Sequence, residues 1–530
     1  MTTPFSFTRR VQGAALAAIV VLGLAACGTG PSTDPSNVPN DPTSGSASQT
    51  GQVVPLTPVK GGVLVTSAVD PGSDIDPVTV SSSGGTAVVD TVGEKLILID
   101  ADNKPAPRLA TEWSVGTDNL TWTVKIRSGV KFNDGTPLTP ADVAATFNRL
   151  IAADSTSPAK GALRIVKEVT VNGDSVDFVL SQPFSDFPVL LAGSNTQILP
   201  ASYKVGTWTQ SFVGTGAFEV ESYHPGQQVT FTRNPDYWNP DVVYLDGIEL
   251  KFFKDSQARV LALQSGEIDG LFGEPVPAAL TSALNPNDYT IQTIPGSGFS
   301  ALVFRVDQAP VDDVKVRQAI AWALDREAII ETAFGGNAAL GNDTIYSPLF
   351  PVRPQGLEQR DVNLGKVKEL LGDKVIEFAI TTSPSEESYA TVIQQQLNAT
   401  GNFKVTLDIL SNDAYYADGE DSPWLNAPVT LTYWAGRPSP SQFINYIYRA
   451  GSGWNASKYS NPALEKLSDQ YDATVDPTER QKIVDQIGKI QWEDVPVVIV
   501  GFSSYQQFLA KGVHVDITSG DAFTNDWKEQ

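Results

Sequence analysis

Apolar and polar residues alternate along Asp118-Asn119-Leu120-Thr121-Trp122-Thr123-Val124-Lys125-Ile126-Arg127. A period of two behind a turn predicts a half-buried β-strand. Lys60-Gly61-Gly62-Val63-Leu64-Val65 reads as a glycine turn feeding an apolar strand, and Val429 to Tyr433 reads as another strand. Between such runs the period lengthens to that of a helix, and proline behind a capping residue marks each start. Thr139-Pro140-Ala141-Asp142, Asn461-Pro462 and Asp476-Pro477-Thr478-Glu479 each open one. The last has the form of a capping box and continues through Ile483, Ile487 and Ile490 on one face. A further helix is predicted near Val316 to Phe334, stopped by Gly335-Gly336. Ser439-Pro440-Ser441-Gln442 is a second capping box, with Phe443, Ile444, Ile447 and Tyr448 as the apolar face behind it. Strands and helices are mixed throughout without an internal repeat, so the fold class is α/β. At 530 residues the chain is too long for one core.

The N-terminal segment breaks this pattern. Arg9-Arg10 precede an apolar run from Val11 to Ala26, too short for a bilayer span of ~20 residues and suited to a secretory signal. The run ends Leu24-Ala25-Ala26-Cys27, which resembles the lipobox of bacterial lipoproteins. That resemblance implies removal of 1–26, diacylation of the Cys27 thiol and a lipid anchor facing the extracytoplasmic side of the cell membrane. From Gly28 to about Val59 the chain is rich in Pro, Ser, Thr, Gly, Asn and Asp. Residues 27–59 therefore read as a lipidated cysteine and a disordered tether, with a mean reach on the order of 30 Å.

Charge and chemistry narrow the function by exclusion. A formal net charge of -23 disfavours nucleic acid as a partner. Cys27 is the only cysteine, so the body has neither a disulfide nor a thiol nucleophile. There is no G-x-S-x-G, no H-E-x-x-H, no Cys/His cluster and no G-x-x-x-x-G-K. His224 and His514 sit in ordinary strand or turn contexts, and Asp100-Ala101-Asp102-Asn103 lacks the Gly and the distant Glu of a calcium loop. The expectation is a protein that is not an enzyme and needs no cofactor and no metal.

Several stretches, taken in order, resemble the extracellular solute-binding proteins of ABC importers, in their peptide, oligopeptide and nickel group. They are Lys60-Gly61-Gly62-Val63-Leu64-Val65 with Asp70-Pro71 and Asp76-Pro77, Pro107 to Trp113, Val130 to Val143, Gly214-Thr215-Gly216, Arg233 to Trp238, Gly266 to Asp269, Val316 to Ile320 and Asp325-Arg326. The resemblance covers about residues 60 to 515 and implies a two-lobed, periplasmic-binding-protein-like α/β fold, hinged over a cleft, with an extra inserted domain. The first lobe would comprise 60–90, 205–298 and 498–530, the inserted domain 91–204 and the second lobe 299–497. The hinge would lie near Phe299-Ser300-Ala301-Leu302 and Val495-Pro496-Val497-Val498. The implied partners are a peptide or small-molecule ligand and ABC permease subunits, with the binding protein itself a monomer. The alternatives are an exported peptide chaperone or a ligand-sensing receptor with the same fold and, more distantly, an exported hydrolase.

The site residues come from the same resemblance. In the family's dipeptide and oligopeptide binders, the segment matching Tyr433 to Phe443 carries an aromatic residue and then an Asp that pairs with the peptide's α-ammonium. Here Trp434 keeps the aromatic, Arg437 takes the acidic position, and a later Asp-Pro is Ser439-Pro440. Arg437 stands two residues before a predicted helix N-terminus, so the group bound there should be anionic or neutral. Arg305 replaces the Asn of the family's usual Phe-Asn, as a second cation near the hinge or as a partner in a surface or interdomain salt bridge. Tyr433, Ser439 and the pair Trp454-Asn455 complete the candidate ligand-binding set.

Overall fold

The computed structural model describes residues 57–273, 276–417, 419, 422–516 and 523–529. The signal, Cys27 and all but the end of the tether lie outside the described residues, and Thr57–Gln530 form one compact unit.

The glycine turn places Gly61 and Gly62 at positive φ and delivers Val63–Val69 into a four-stranded sheet. That strand runs parallel to Gly247–Phe253, and Gln228–Arg233 and Phe218–His224 continue the sheet antiparallel. Gly270–Leu271, Tyr505–Ala510 and Tyr289–Ile294 form a second sheet of this lobe. A separate antiparallel sheet contains Ala110–Val115, Thr121–Ile126, Ser175–Leu180 and Val166–Asn172. Trp122, Val124 and Ile126 are its buried alternate residues, as the period of two predicts. Helix Pro140–Ile151 packs against it, started by Thr139, whose N–H and hydroxyl both donate to Asp142 Oδ2, at 2.8 and 2.6 Å.

The second lobe is wound about a five-stranded sheet in the order Phe403–Ile409, Ile376–Thr382, Val429–Trp434, Phe299–Phe304, Val497–Ile499. Helices Val314–Ala323, Arg326–Phe334 and Glu387–Ala399 bury one face, and Pro462–Ala473 and Pro477–Asp494 bury the other. Burial on both faces explains why Phe299 to Phe304 is an unbroken buried run rather than an alternating one. The expected single helix from Val316 to Phe334 is two helices, because Leu324 is extended and Asp325 caps a new start through Ala328 N–H at 3.0 Å. Asp476 caps as predicted, but Glu479 pairs with Lys482 at 2.7 Å. Behind Ser439 only Pro440–Phe443 is α-helical; Ile444–Tyr448 widens to a π-helix while keeping its apolar face buried.

The crossings between the lobes differ from expectation. Ile294 pairs with Tyr505 in the first lobe, while Phe299 pairs with Trp434 and Ile499 with Ala301 in the second. Gly501–Ser503 pairs with Ala338–Leu340 and still belongs to the second lobe. The chain therefore crosses at Pro295 to Gly298 and at Ser503-Ser504, not within Phe299–Leu302 or Val495–Val498, and the second lobe runs past 497. Fully buried apolar runs are central strands, whereas the Gly- and Ser-rich tracts beside them are free to connect. The two tracts lie side by side: Ser503 N–H donates to Gly298 O at 2.8 Å, and a Cβ on Gly296 would stand 2.4 Å from Ser503 O.

Candidate functional site

Ile376–Thr382, Phe403–Ile409 and Val429–Trp434 run parallel and end at one edge of the second-lobe sheet, where Phe299–Phe304 begins after its crossing. The carboxyl edge of such strands is where open α/β sheets hold ligands. Trp434, the last residue of its strand, is 5% exposed and forms an aromatic cluster with Trp424 at 6.4 Å and Trp454 at 6.1 Å. Tyr446 lies 4.9 Å from Trp454, and Tyr416 6.2 Å from Trp424. Trp454, Tyr416 and Tyr433 remain exposed. The Trp434 indole N–H is buried without a hydrogen-bond partner among the described residues.

Arg437 borders this cluster, its guanidinium 5.7 Å from the Tyr446 ring. Its backbone is fixed: Ser297 Oγ accepts from Arg437 N–H at 2.9 Å and donates to Arg437 O at 2.8 Å. The side chain bonds only to the neighbouring Gly436 O, at 3.4 Å, and no carboxylate among the described residues lies within ion-pair distance.

The other expected residues lie elsewhere. Arg305 follows Phe304, whose partner is Val429, so it stands at the far end of the strand from the Phe299–Trp434 pair. Its guanidinium forks onto Asp307 with two bonds of 2.9 Å and reaches Asn426, which makes it a clamp within the lobe rather than a cleft cation. Asn455 is buried, donating to Arg449 O and Tyr459 O and accepting from Ser457, so it pins the loop that presents Trp454. Ser439 is buried and its hydroxyl donates to Asp186. Asp186 also pairs with Arg480 at 2.5 Å, and Arg480 donates to Ser185 Oγ at 2.5 Å and covers Tyr471 at 4.0 Å. The short helix behind Ser439 thus already faces an acid, and the expected role of its N-terminus in drawing an anion to Arg437 does not hold.

On the first lobe, a cavity of about 560 Å³ reaches the crossings through Ile294 and Tyr505 and is lined also by Ser83, Thr86, Asp90 and Gln507. Asp526 lines it too, pushed up to about 8 by burial beside Asp516. The motif Arg233 to Trp238 serves packing: Tyr237 OH and Trp238 N–H donate to Glu94, which pairs with Arg108 at 2.7 Å. Asp100 Oδ1 accepts from Asp102 and Lys104 N–H, a turn, and His514 stacks on Trp527 at 3.9 Å. Among the described residues no group of three His, Cys, Asp or Glu could hold a metal ion.

The junction of crossing and site is tight. A Cβ on Gly298 would stand 2.8 Å from Tyr433 OH and 3.0 Å from both Gly436 N and Trp434 O. Gly298→Ala is expected to cost about 1–3 kcal/mol of stability, as overpacking does, measured as a lowered urea midpoint. An unchanged midpoint would show that the tract yields freely.

Residues 104–456 match the bacterial extracellular solute-binding proteins, family 5 Middle. The glutathione-binding protein GsiB of Escherichia coli (strain K12) is 26% identical over 445 residues, which is 80% of this chain and 85% of that protein. HbpA2 from Haemophilus parasuis shares the fold with a TM-score of 0.76 at 21% identity, over 88% of this chain and 100% of its own. The ABC transporter-associated periplasmic binding protein DppA from Helicobacter pylori, in complex with peptide STSA, gives 0.66 at 22% identity, over 89% and 99%. Two lobes joined by paired crossings, with an aromatic and cationic surface at the carboxyl edge of one sheet, suit capture of a solute, and the chain belongs to the bacterial extracellular solute-binding proteins, family 5.

Proposed function

We propose that the protein captures a peptide or peptide-like solute bearing an anionic group and delivers it to the permease of an ABC importer, while a lipid on Cys27 keeps it at the membrane. The observation that carries the solute class is Arg437, a guanidinium with no carboxylate partner among the described residues, at the rim of the Trp424, Trp434, Trp454 and Tyr446 cluster. A planar guanidinium binds a carboxylate with two parallel bonds, and the aromatic faces supply area at low entropic cost. The glutathione-binding relative and the peptide complex of DppA support a peptide-like cargo.

The test is mass spectrometry of whatever co-purifies with the native protein, followed by titration of that compound into Arg437→Ala. Loss of the guanidinium should weaken binding about 10- to 100-fold, the worth of a charge-assisted pair. Unchanged affinity would make Arg437 structural, and a cargo lacking any anionic group would overturn the solute class.

A further inference from the structure

A cavity of about 350 Å³ lies in the second lobe, and none of the residues of the aromatic cluster lines it. Its wall is one excursion of the chain, between Leu340 and Gln359, closed by Gln481 of helix Pro477–Asp494 and by Phe502. The wall is tied to itself. Asn342 Nδ2 donates to Glu358 O at 2.9 Å, its Oδ1 accepts from Arg360 N–H at 3.0 Å, and Gln359 donates to Gly341 O at 3.0 Å. Gln481 donates to Arg353 O and to Asp485 Oδ1, each at 2.7 Å. A cavity braced in this way is preformed, and its volume is that of a small-molecule site.

The chemistry of the lining is one-sided. The chain has 60 acidic residues and a net charge of -23, yet no Asp or Glu lines this cavity, and its one charged residue is Arg353. The Arg353 guanidinium makes no hydrogen bond or ion pair among the described residues. Thr344 and Tyr346 are buried, yet the Thr344 hydroxyl and the N–H groups of both residues find no partner among the described residues either. Buried N–H groups are nearly always paired. Donors without acceptors beside an unpaired guanidinium are what an anion satisfies.

Independently of the solute class above, we propose that this cavity is a second ligand site, which takes a small organic carboxylate at Arg353, Thr344 and Tyr346 and stiffens the joint between the lobes when filled. The stiffening rests on position. Ser347, on the same excursion, donates its hydroxyl to Gly296 O of the first crossing at 3.3 Å, and Phe502 immediately precedes Ser503 of the second. An occupant of the cavity therefore restrains both crossings at once.

The probe is labelled succinate, with succinamide as its uncharged counterpart, in equilibrium dialysis against the full chain carrying Arg437→Ala, which takes the cation at the aromatic cluster out of the measurement. Succinate should bind saturably at one equivalent and succinamide at least about tenfold more weakly, and adding Arg353→Ala should weaken succinate about tenfold or more. No saturable binding, equal binding of the two compounds, or binding that survives Arg353→Ala overturns the site. Displacement of succinate by an equal concentration of inorganic phosphate overturns the carboxylate class. Hydrogen exchange at the crossings, Ser503 N–H included, should slow at least about fivefold with succinate bound. Unchanged exchange at full occupancy overturns the stiffening.

Discussion

Asp343→Asn is expected to lower the unfolding free energy by about 3–5 kcal/mol, the cost of removing one partner from a buried ionic group. Asp343 is fully buried, and its Oδ2 accepts from Arg326 and from Arg360, each at 2.7 Å. Both guanidiniums are themselves buried, and Arg360 lies 4.0 Å from the Trp492 ring. Oδ1 accepts from Ile499 N–H at 3.2 Å, so one carboxylate ties helix Arg326–Phe334 to the edge strand of the second-lobe sheet. Asparagine keeps the shape and tolerates the positive φ of 57° at this position, so the substitution removes charge without adding backbone strain. Two buried cations would then share a neutral amide. The measurement is equilibrium urea unfolding; a loss below about 1 kcal/mol would show that the arginines relax to water, as exposed pairs do.

Arg480→Ala carries the second large effect, also about 3–5 kcal/mol. It removes the guanidinium that binds Asp186 and Ser185 and stacks on Tyr471, leaving Asp186 to Ser439 and Tyr471 alone. Both side chains of the pair are mostly buried, at 10% and 15% exposure, so solvent screens little of the loss. The contact joins the segment carrying Asp186 to helix Pro477–Asp494, and nearby Asp472, pushed up to about 6 by burial, accepts from Ser441 there. A double-mutant cycle with Asp186→Ala should give a coupling of about 1–3 kcal/mol. Simple additivity in urea unfolding would mean that the two side chains act independently.

Capping chemistry was the most legible part of the sequence, because a cap is decided by a few adjacent residues. Thr139, Asn461 and Asp476 each begin a helix where proline and a polar side chain say they should. The crossings are not legible in the sequence, because pairing partners far away decide that the apolar run Phe299 to Phe304 is a central strand rather than a connector. Trp434 and Arg437 were readable from the resemblance and stand together at the sheet edge. Arg305, Asn455 and Ser439 each spend the side chain on a partner within the fold. Those partners, Asp307, Tyr459 and Asp186, could not be assigned from residue type alone. Trp424 and Tyr416 come to Trp434 from helix Pro423–Asn426 and from the residue after helix Asn412–Tyr415, so no local pattern in the sequence joins the three rings.

The double hydrogen bond between Ser297 and the Arg437 backbone has a mechanical consequence. Ser297 belongs to the connecting tract, so the backbone of Arg437 is geared to the joint and not merely carried by the lobe. A load applied at Arg437 acts on the connecting tract within one residue of its source, with no core to traverse. The Arg437 loop and the connecting tract share one lever arm, and its length is a serine side chain.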